Sequence, residues 1–342
     1  MIGVIGNEAC DADSIVCAIA IALSRIDHIP FVNLDIDDID CRLDFRAICK
    51  IANITDPVKQ FKIHSIDEIE TLGDTIEGWI LVDHNDSFHT EIISPIIEVI
   101  DHHAIVSESV KIRLDSIPHV IESVGSCATL VARKIMVEHP NFITTDLGKI
   151  ILKMLLLTIV LDTQNFSKSV GKATAEDLRV VDLICNHLGK EIVVDTQLMS
   201  EWFSEMSRAK FDPSFWYKAG NEEKILKYDF KRYELANGES IGMSVILRNI
   251  DDSIEQTAAV AMKRNFHKLY VVSGAYFVDN RQMVQILVIG HLPPAAIDRL
   301  IVTFSLALIR CSDSDRLLFQ VNDPTFSRKK FAPVLLALCA DS

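Results

Sequence analysis

The chain has 342 residues, enough for two domains, and 49% of them are hydrophobic, so it can bury substantial cores. Its formal net charge of -14 argues against a nucleic-acid-binding surface, whereas a few cations or bound metal ions in a cleft would still allow a phosphorylated substrate. Eight cysteines without a CxxC pair argue against a zinc ribbon and favour a reducing, cytoplasmic setting. We expect no signal peptide, because a strand-like segment begins at Met1, and no membrane partner.

The first half of the chain alternates strand-like and helical segments. Strands are predicted at MIGVIG, FVNLDI and GWILVDHND, with a further apolar run at IIEVI. Helices are predicted at SIVCAIAIALSRI, with Ser14 as a candidate cap, at SCATLVARKIMVEH, and at the apolar run 149–162, which is too short to span a bilayer. This order predicts an α/β domain over residues 1–188 with a doubly wound, mostly parallel sheet, whose ligands bind outside the carboxyl ends of the strands.

The second half has a different pattern. A helix is predicted over 174–189, with a capping box from Thr174 to Asp177. A flexible joint is predicted at 186–200, which begins in the last turn of this helix. Strands are then predicted at KILKYDFKRYEL and ESIGMSVIL, a helix at IEQTAAVAMKRNFH, a hairpin from KLYVVSGAYFVD to MVQILVIG, and a helix at PPAAIDRLIVTFSLALI. These segments predict a smaller α+β domain with a mixed sheet over residues 189–342. The acidic run 35–44 is predicted to be a solvated loop.

Acidic, amide and imidazole side chains recur at four successive turns of the first half. They are Asn7 with Asp11 and Asp13, Asp83 with His84, Asp101 with His102 and His103, and Asp162. Carboxylate oxygens combined with imidazole suit Mg²⁺, Mn²⁺ or Co²⁺ rather than a thiolate zinc site. Two such ions about 3.5–4 Å apart can activate a water molecule and stabilise a leaving phosphate oxygen. The pattern therefore predicts a metal site.

Each cluster also has a simpler interpretation. Asp11 and Asp13 suit the first turn of a helix, where they complement its dipole, and Asp83 suits a turn. The DHH triplet is short enough to arise by chance, and His84 is better suited to holding a neighbour in place than to binding metal. Recurrence at four turns favours the metal site over these separate explanations.

The order of these motifs resembles the DHH phosphoesterase superfamily. NEACDAD, VDHN, DHH and LLTIVLDTQNF follow one another as in that superfamily. GNEACDADS and VGSCATLVARK are most similar to its exopolyphosphatase and prune branch, which is related to family II inorganic pyrophosphatases. YDFKRY, IGMSVI and SRKKFAP resemble the associated substrate-binding domain. The resemblance implies a DHH domain followed by this second domain, with the active site in the cleft between them.

The resemblance also implies roles for individual residues. Two divalent ions, Mg²⁺ or Mn²⁺ with Co²⁺ as a further candidate, would be bound by Asp11, Asp13, Asp83, His102 and Asp162, with Asp83 bridging the ions. Asp101 would support the metal site, and His103 would contact the substrate phosphate or the leaving group. Asn7 stands where the pyrophosphatases have a metal-ligating histidine, and an amide is a weaker ligand for Mn²⁺ or Co²⁺ than an imidazole. We also place Asn7 among the substrate-binding residues.

The second domain is expected to supply cations. By the same resemblance, Lys231, Arg328 and Lys329 match phosphate-binding positions, since arginine offers a bidentate fork and lysine a mobile point charge. Arg232 and Lys330 would extend a cationic groove. A solvated basic tip is the alternative interpretation of this segment.

The function implied by the resemblance is that of a metal-dependent exopolyphosphatase, which releases orthophosphate from the ends of linear inorganic polyphosphate. Three alternatives stay open. A manganese- or magnesium-dependent inorganic pyrophosphatase is opposed by Asn7. A prune-like phosphodiesterase would act on cyclic nucleotides or short oligophosphates. A regulatory binding protein with little turnover is opposed by the presence of every metal-binding carboxylate. We expect no nucleic-acid polymer as a partner.

Overall fold

The computed structural model describes residues 1–72, 75–85, 95–105, 108–189, 196–235, 237–265, 267–279, 281–313, 315–323 and 326–340. The chain forms two compact units, Met1–Lys210 and Phe211–Ser342. The predicted joint at 186–200 precedes this division, and residues 190–195 lie outside the described residues, so the domain boundary at 188/189 stays a prediction.

The first unit is built on a parallel sheet of six strands within the described ranges, in the order β3-β2-β1-β4-β5-β6. These strands are β1 Ile2–Ile5, β2 His28–Val32, β3 His64–Ser65, β4 Gly78–Val82, β5 Ile96–Asp101 and β6 His119–Ile121. Every pair of neighbours is parallel. The predicted doubly wound sheet is confirmed, and its order reverses between β1 and β4, where open α/β sheets bind their ligands.

Helices surround this sheet. They are α1 Ala12–Ser24, α2 Leu43–Ile51, α3 Pro57–Phe61, α4 Ile69–Leu72, α5 Glu108–Leu114, α6 Cys127–Glu138, α7 Pro140–Ile143, α8 Asp146–Asp162, α9 Ala175–Leu188 and α10 Thr196–Lys210. As predicted, α8 is buried along most of its length, and it packs against α1, α6 and α9. Within the ranges that the structure describes, no helix has the length and apolar character needed to cross a membrane.

Two local predictions in the first unit are wrong. The acidic run forms a 3₁₀ helix, Ile36–Cys41, whose Ile39 is buried, and Asp44 is buried at the start of α2. The apolar side chains within the run explain this, because they draw the segment onto the core. The cap of α1 is Asp11, whose Oδ1 accepts a hydrogen bond from the Ser14 amide at 3.1 Å.

The second unit contains a sheet of six strands in its described part, in the order β11-β12-β10-β9-β8-β7. These strands are β7 Phe230–Glu234, β8 Ser240–Ile246, β9 Leu269–Val278, β10 Arg281–Ile289, β11 Leu306–Asp313 and β12 Arg316–Val321. The helices are α11 Pro213–Trp216, α12 Glu222–Tyr228, α13 Asp252–Arg264, α14 Pro294–Phe304 and α15 Arg328–Ala340. Only β8 and β9 pair in parallel among these neighbours, so the predicted mixed sheet is confirmed.

Two segments of this unit each contain a helix and a strand where a single element was predicted. KILKY belongs to α12, and the predicted strand begins only at Phe230. The helix predicted through LALI ends at Phe304, because Ser305 adopts a left-handed backbone with φ +50°. The residues that follow Ser305 form β11 at the edge of the sheet.

His267 is a buried histidine in the core of the second unit. Its Nδ1 lies 2.7 Å from the Ser240 hydroxyl, and its ring packs beside Phe230 and Tyr270. Its Nε2 has no hydrogen-bond partner in the described structure. Burial lowers the pKa of His267 to about 4, and the positive charge of Arg232 acts in the same direction.

This histidine predicts a pH-dependent stability. Between about pH 6.5 and about 4, His267 is neutral in the folded protein but protonated in the unfolded chain, so the free energy of unfolding falls as the pH falls. We expect wild type to lose on the order of 2–3 kcal/mol more than His267→Gln between pH 7 and 4.5. Urea unfolding at both pH values measures this, with the exposed His291→Gln as control. Equal pH dependence in wild type and His267→Gln would contradict the prediction.

Candidate metal centre

The candidate site lies where the carboxyl ends of the central strands meet two helix ends. Asn7 and Asp83 follow β1 and β4, and Asp101 ends β5. Asp11 and Asp13 lie at the amino end of α1, and Asp162 is the last residue of α8. The sheet order therefore places the residues that follow β1, β4 and β5 at one switch point, and the end of α8 brings Asp162 close enough to Asp13 for their charges to interact.

Asp83 uses its two carboxylate oxygens differently. Oδ2 accepts hydrogen bonds from Asn7 Nδ2 at 2.8 Å and from the Ser14 hydroxyl at 2.7 Å. Oδ1 lies 3.3 Å from His102 Nε2 and 3.8 Å from His103 Nδ1. Ligand atoms of Asp83, His102 and His103 lie within 4.8 Å of one another, close enough to bind one metal ion.

The backbone at Asp83 is unusual for a residue with a side chain. It is only 2% exposed and has φ +62°, in the left-handed region, while its amide donates to the Ile100 carbonyl at 2.9 Å. This conformation is costly for residues other than glycine, so the surrounding contacts must stabilise it. Next to it, His84 Nδ1 lies 2.9 Å from the Val82 carbonyl, so this ring contacts the neighbouring backbone, as the simpler interpretation expects.

His102 has the tautomer that metal binding requires. Its Nδ1 lies 3.0 Å from the Val124 carbonyl, which can only accept, so Nδ1 carries a proton and Nε2 faces Asp83. Burial alone would lower the pKa of His102, but the hydrogen bond and charge of Asp83 outweigh burial and raise this pKa to about 10. Nε2 therefore attracts a cation, which is either a proton or a metal ion that displaces that proton.

Asp101 orients both histidines. Its Oδ1 accepts from the amides of His102 and His103 at 2.7 and 3.1 Å, and lies 2.8 Å from His103 Nδ1. Its Oδ2 accepts from Asn85 Nδ2 at 2.7 Å. Burial would raise the pKa of Asp101, but the hydrogen bond and charge of His103 lower it below its usual value. This fully buried carboxylate is saturated by protein donors, as a supporting residue requires.

Asp13 caps a helix other than its own. Its Oδ2 accepts from the Cys127 amide at 2.7 Å and from the Ser126 hydroxyl at 3.1 Å, while Oδ1 accepts from the Ala128 amide at 2.9 Å. The amino end of α6 thus binds an anion that belongs to the protein itself. Burial raises the pKa of Asp13, and the negative charge of Asp83 raises it further.

Asp162 completes a crowded set of carboxylates. Burial raises its pKa well above the usual value, and the charge of Asp13 adds to this effect. The Lys172 ammonium lies 3.8 Å from Asp162 Oδ1 and opposes the shift. Burial also raises the pKa of Asp83. Because a divalent cation would relieve this repulsion, the residues present fit a metal centre.

The cations predicted in the second unit lie near its amino- and carboxyl-terminal elements. Lys231 is half-buried on β7, and Lys329 is exposed in the first turn of α15. Arg328 forms two hydrogen bonds with Asp229, one to its carbonyl oxygen and one to Oδ1, both at 2.7 Å. Arg328 is therefore held in place by an acidic neighbour within its own unit.

Several residues that shape the site were not predicted from the sequence to be site residues. Ser14 and Asn85 donate to Asp83 and Asp101, and Asn33 Nδ2 donates to the carbonyls of Gly6 and Asn7 at 2.6 and 2.9 Å. Ser14 and Asn85 belong to the quoted motifs GNEACDADS and VDHN. Membership of those motifs was the available signal, but it does not reveal which carboxylate each residue contacts.

Comparison with known proteins agrees with this geometry. A family model described as "DHH family, N-terminal domain" matches residues 1–161. Exopolyphosphatase PRUNE1 of Mus musculus is 29% identical over 268 residues, which cover 74% of this chain and 54% of that protein. A Schizosaccharomyces pombe protein assigned as an exopolyphosphatase is 27% identical over 246 residues, covering 67% of this chain and 59% of that protein. The chain spans about half the length of the curated relatives it matches.

A solved structure shares the fold. A Methanococcus jannaschii protein assigned to the family II inorganic pyrophosphatases aligns with 99% of both chains, at 21% identity and a TM-score of 0.63. The chain is therefore similar to the DHH family over residues 1–161, and its similarity to a prune exopolyphosphatase extends over 74% of its length.

Proposed function

We propose that the protein is a metal-dependent phosphoanhydride hydrolase, specifically an exopolyphosphatase that releases orthophosphate from the ends of linear polyphosphate. The observation that carries this proposal is the position of Asp83 Oδ1 beside the imidazoles of His102 and His103, among buried carboxylates. The names of the relatives support the substrate class.

The metal ligands in this proposal come from the first unit. They are Asp11, Asp13, Asp83, His102 and Asp162. When bound, two divalent ions, Mg²⁺ or Mn²⁺ with Co²⁺ as a further candidate, would activate a water molecule and neutralise charge on the phosphate. Asp13 already accepts four hydrogen bonds, two from backbone amides, one from the Ser126 hydroxyl and one from the Cys17 thiol. A metal ion on Asp13 would therefore have to displace a weak donor such as this thiol, because a carboxylate has about four lone-pair sites. Asp101 orients the His103 imidazole and holds the backbone of His102, and His103 contacts the phosphate or the leaving oxygen.

Asn7 supports polyphosphate rather than pyrophosphate as the substrate. Its Nδ2 donates to Asp83 Oδ2, and its Oδ1 accepts from the Cys10 amide at 3.2 Å. The opposite orientation of the amide would place Asn7 Oδ1 against Asp83 Oδ2, and neither oxygen could donate a hydrogen bond. Asn7 therefore orients Asp83 and presents no imidazole at the position where the related pyrophosphatases have a histidine ligand. Its proposed contribution to substrate binding acts through Asp83.

The second unit contributes phosphate-binding cations in this proposal. Lys231, Arg328 and Lys329 bind the phosphoryl oxygens, and Arg328 provides a bidentate fork. Asp229 keeps that guanidinium oriented and competes with the substrate for it. Arg328 thus tunes affinity for the phosphate chain rather than affinity for metal.

Phosphate release tests the proposed function. We expect rapid phosphate release from tripolyphosphate and long polyphosphate with Mg²⁺ or Mn²⁺, and little from pyrophosphate. Cyclic AMP, whose hydrolysis yields AMP without free phosphate, is followed by AMP formation, and we expect little of it. Asp83→Asn should lose turnover by orders of magnitude, because it removes the charge at the centre of the site while preserving its size. Asp67→Asn, at an exposed position of the same unit, is the control. Dominant pyrophosphate hydrolysis would make the protein a pyrophosphatase, and dominant conversion of cyclic AMP to AMP would make it a phosphodiesterase. Turnover of none of the four compounds would favour a regulatory binding protein.

Ser14 should control metal affinity without binding metal. Ser14→Ala removes a donor to Asp83 Oδ2, so we expect affinity for Mn²⁺ to fall about tenfold, a typical effect of a residue behind a ligand. Calorimetric titration measures this affinity. Ser24→Ala is the matched control, since Ser24 lies at the other end of α1 and bonds only locally, to the Ile21 carbonyl. An unchanged Mn²⁺ affinity in Ser14→Ala would show that this hydroxyl does not hold Asp83 for metal.

Arg328 should affect substrate binding selectively. We expect Arg328→Ala to raise KM for tripolyphosphate about tenfold, with little change in kcat or Mn²⁺ affinity, because a charge-assisted pair is lost. Asp229→Ala should lower KM, since it releases the guanidinium from a competitor. Steady-state kinetics measure both effects, and the exposed Arg281→Ala is the control. An unchanged KM in Arg328→Ala would remove α15 from the substrate site.

A further inference from the structure

Lys172 brings a positive charge to the edge of the carboxylate cluster. It lies between α8 and α9, and its Nζ is 3.8 Å from Asp162 Oδ1. The Lys172 side chain is 37% exposed, while that of Asp162 is 19% exposed. A cation that solvent and ligands can reach therefore stands beside a proposed metal ligand.

The backbone that carries Lys172 is anchored to the same element that holds Asp13. The buried Asp177 carboxylate accepts from the amide of Thr174, at 2.7 Å, and from the amide of Gly125, at 2.9 Å. A Cβ at Gly125 would lie only 3.1 Å from the Lys172 carbonyl oxygen, so the two segments are in close contact. These contacts place the backbone of Lys172 against the turn that precedes α6.

The charge of the site indicates what the ammonium group could bind. The four carboxylates proposed as metal ligands, those of Asp11, Asp13, Asp83 and Asp162, carry a charge of about −4 when ionised, which two divalent ions would cancel. A phosphate chain brought to such a neutral site needs further cations. A metal ion on Asp162 would also weaken the hold of that carboxylate on Lys172, so the ammonium could turn to a phosphoryl oxygen.

We propose that Lys172 is a substrate-binding residue of the first unit, which pairs with Asp162 in the free protein and with an oxygen of the terminal phosphoryl group in the complex. This inference rests on the proposed function for the identity of the anion. It assigns a phosphate contact to the metal-binding unit, in addition to the cations proposed on the second unit.

Binding of inorganic phosphate in the presence of Mg²⁺ tests this inference without requiring turnover. We expect the Kd for phosphate, measured by calorimetry, to rise about tenfold in Lys172→Gln and by less than about threefold in Lys172→Arg, which keeps the charge. Lys168→Gln is the matched control, because Lys168 is an exposed lysine of the same segment. Thermal unfolding confirms that each variant is folded, and Mg²⁺ titration reports its metal affinity.

The outcomes separate phosphate binding from simple charge neutralisation. If Lys172→Gln keeps wild-type phosphate affinity and binds Mg²⁺ more tightly, Lys172 only offsets the charge of Asp162 and the inference is overturned. Absence of phosphate binding by wild type would also overturn it. If wild type binds phosphate through Lys172 but hydrolyses no phosphoanhydride, the proposed function fails while the assignment of Lys172 stands.

Discussion

The crowding of carboxylates at the switch point of the parallel sheet is the constraint on which the site depends. Asp13, Asp83 and Asp162 lie close enough for burial and mutual repulsion to raise their pKa values. Such an arrangement is stable only where donors or cations oppose the repulsion. The surrounding chain supplies a separate partner for each carboxylate, and these partners explain the positions of several elements.

Each partner comes from a different part of the first unit. The amino end of α6 donates to Asp13, the turn after β1 and the first turn of α1 donate to Asp83, and the segment before α9 brings Lys172 to Asp162. The left-handed backbone at Asp83 is costly by itself, and it persists because these contacts stabilise it. The same arrangement explains why Oδ2 of Asp83 accepts from donors while its Oδ1 lies beside the imidazoles.

Much of the fold could be predicted because its signals are local. Four strands of the first sheet, β1, β2, β4 and β5, follow from apolar periodicity, as does the buried α8, and the capping box of α9 follows from cap chemistry. The short strands β3 and β6 were not predicted. The errors fell where a local signal had two outcomes. Three residues that can cap a helix, Asp11, Asp13 and Ser14, lie within four positions and left the cap of α1 ambiguous. KILKY suits a helix as well as a strand. At residues 36–41, burial of Ile39 overrode the acidic composition.

The sequence by itself determined the order of elements and the residue types at the ends of the strands, because hydrophobic period and turn chemistry act over a few residues. It therefore indicated that Asp83 and His102 belong to one edge of one sheet, and that Asp162 ends a buried helix. Only the tertiary structure decided which donor meets which carboxylate. The Cys127 amide and Asp13 are 114 residues apart in the chain, and the pairing of Asn7 and Ser14 with one oxygen of Asp83 depends on the packing of α1 across β1 and β4. Hydrogen-bond partners so distant in sequence are selected by packing, which no local pattern encodes.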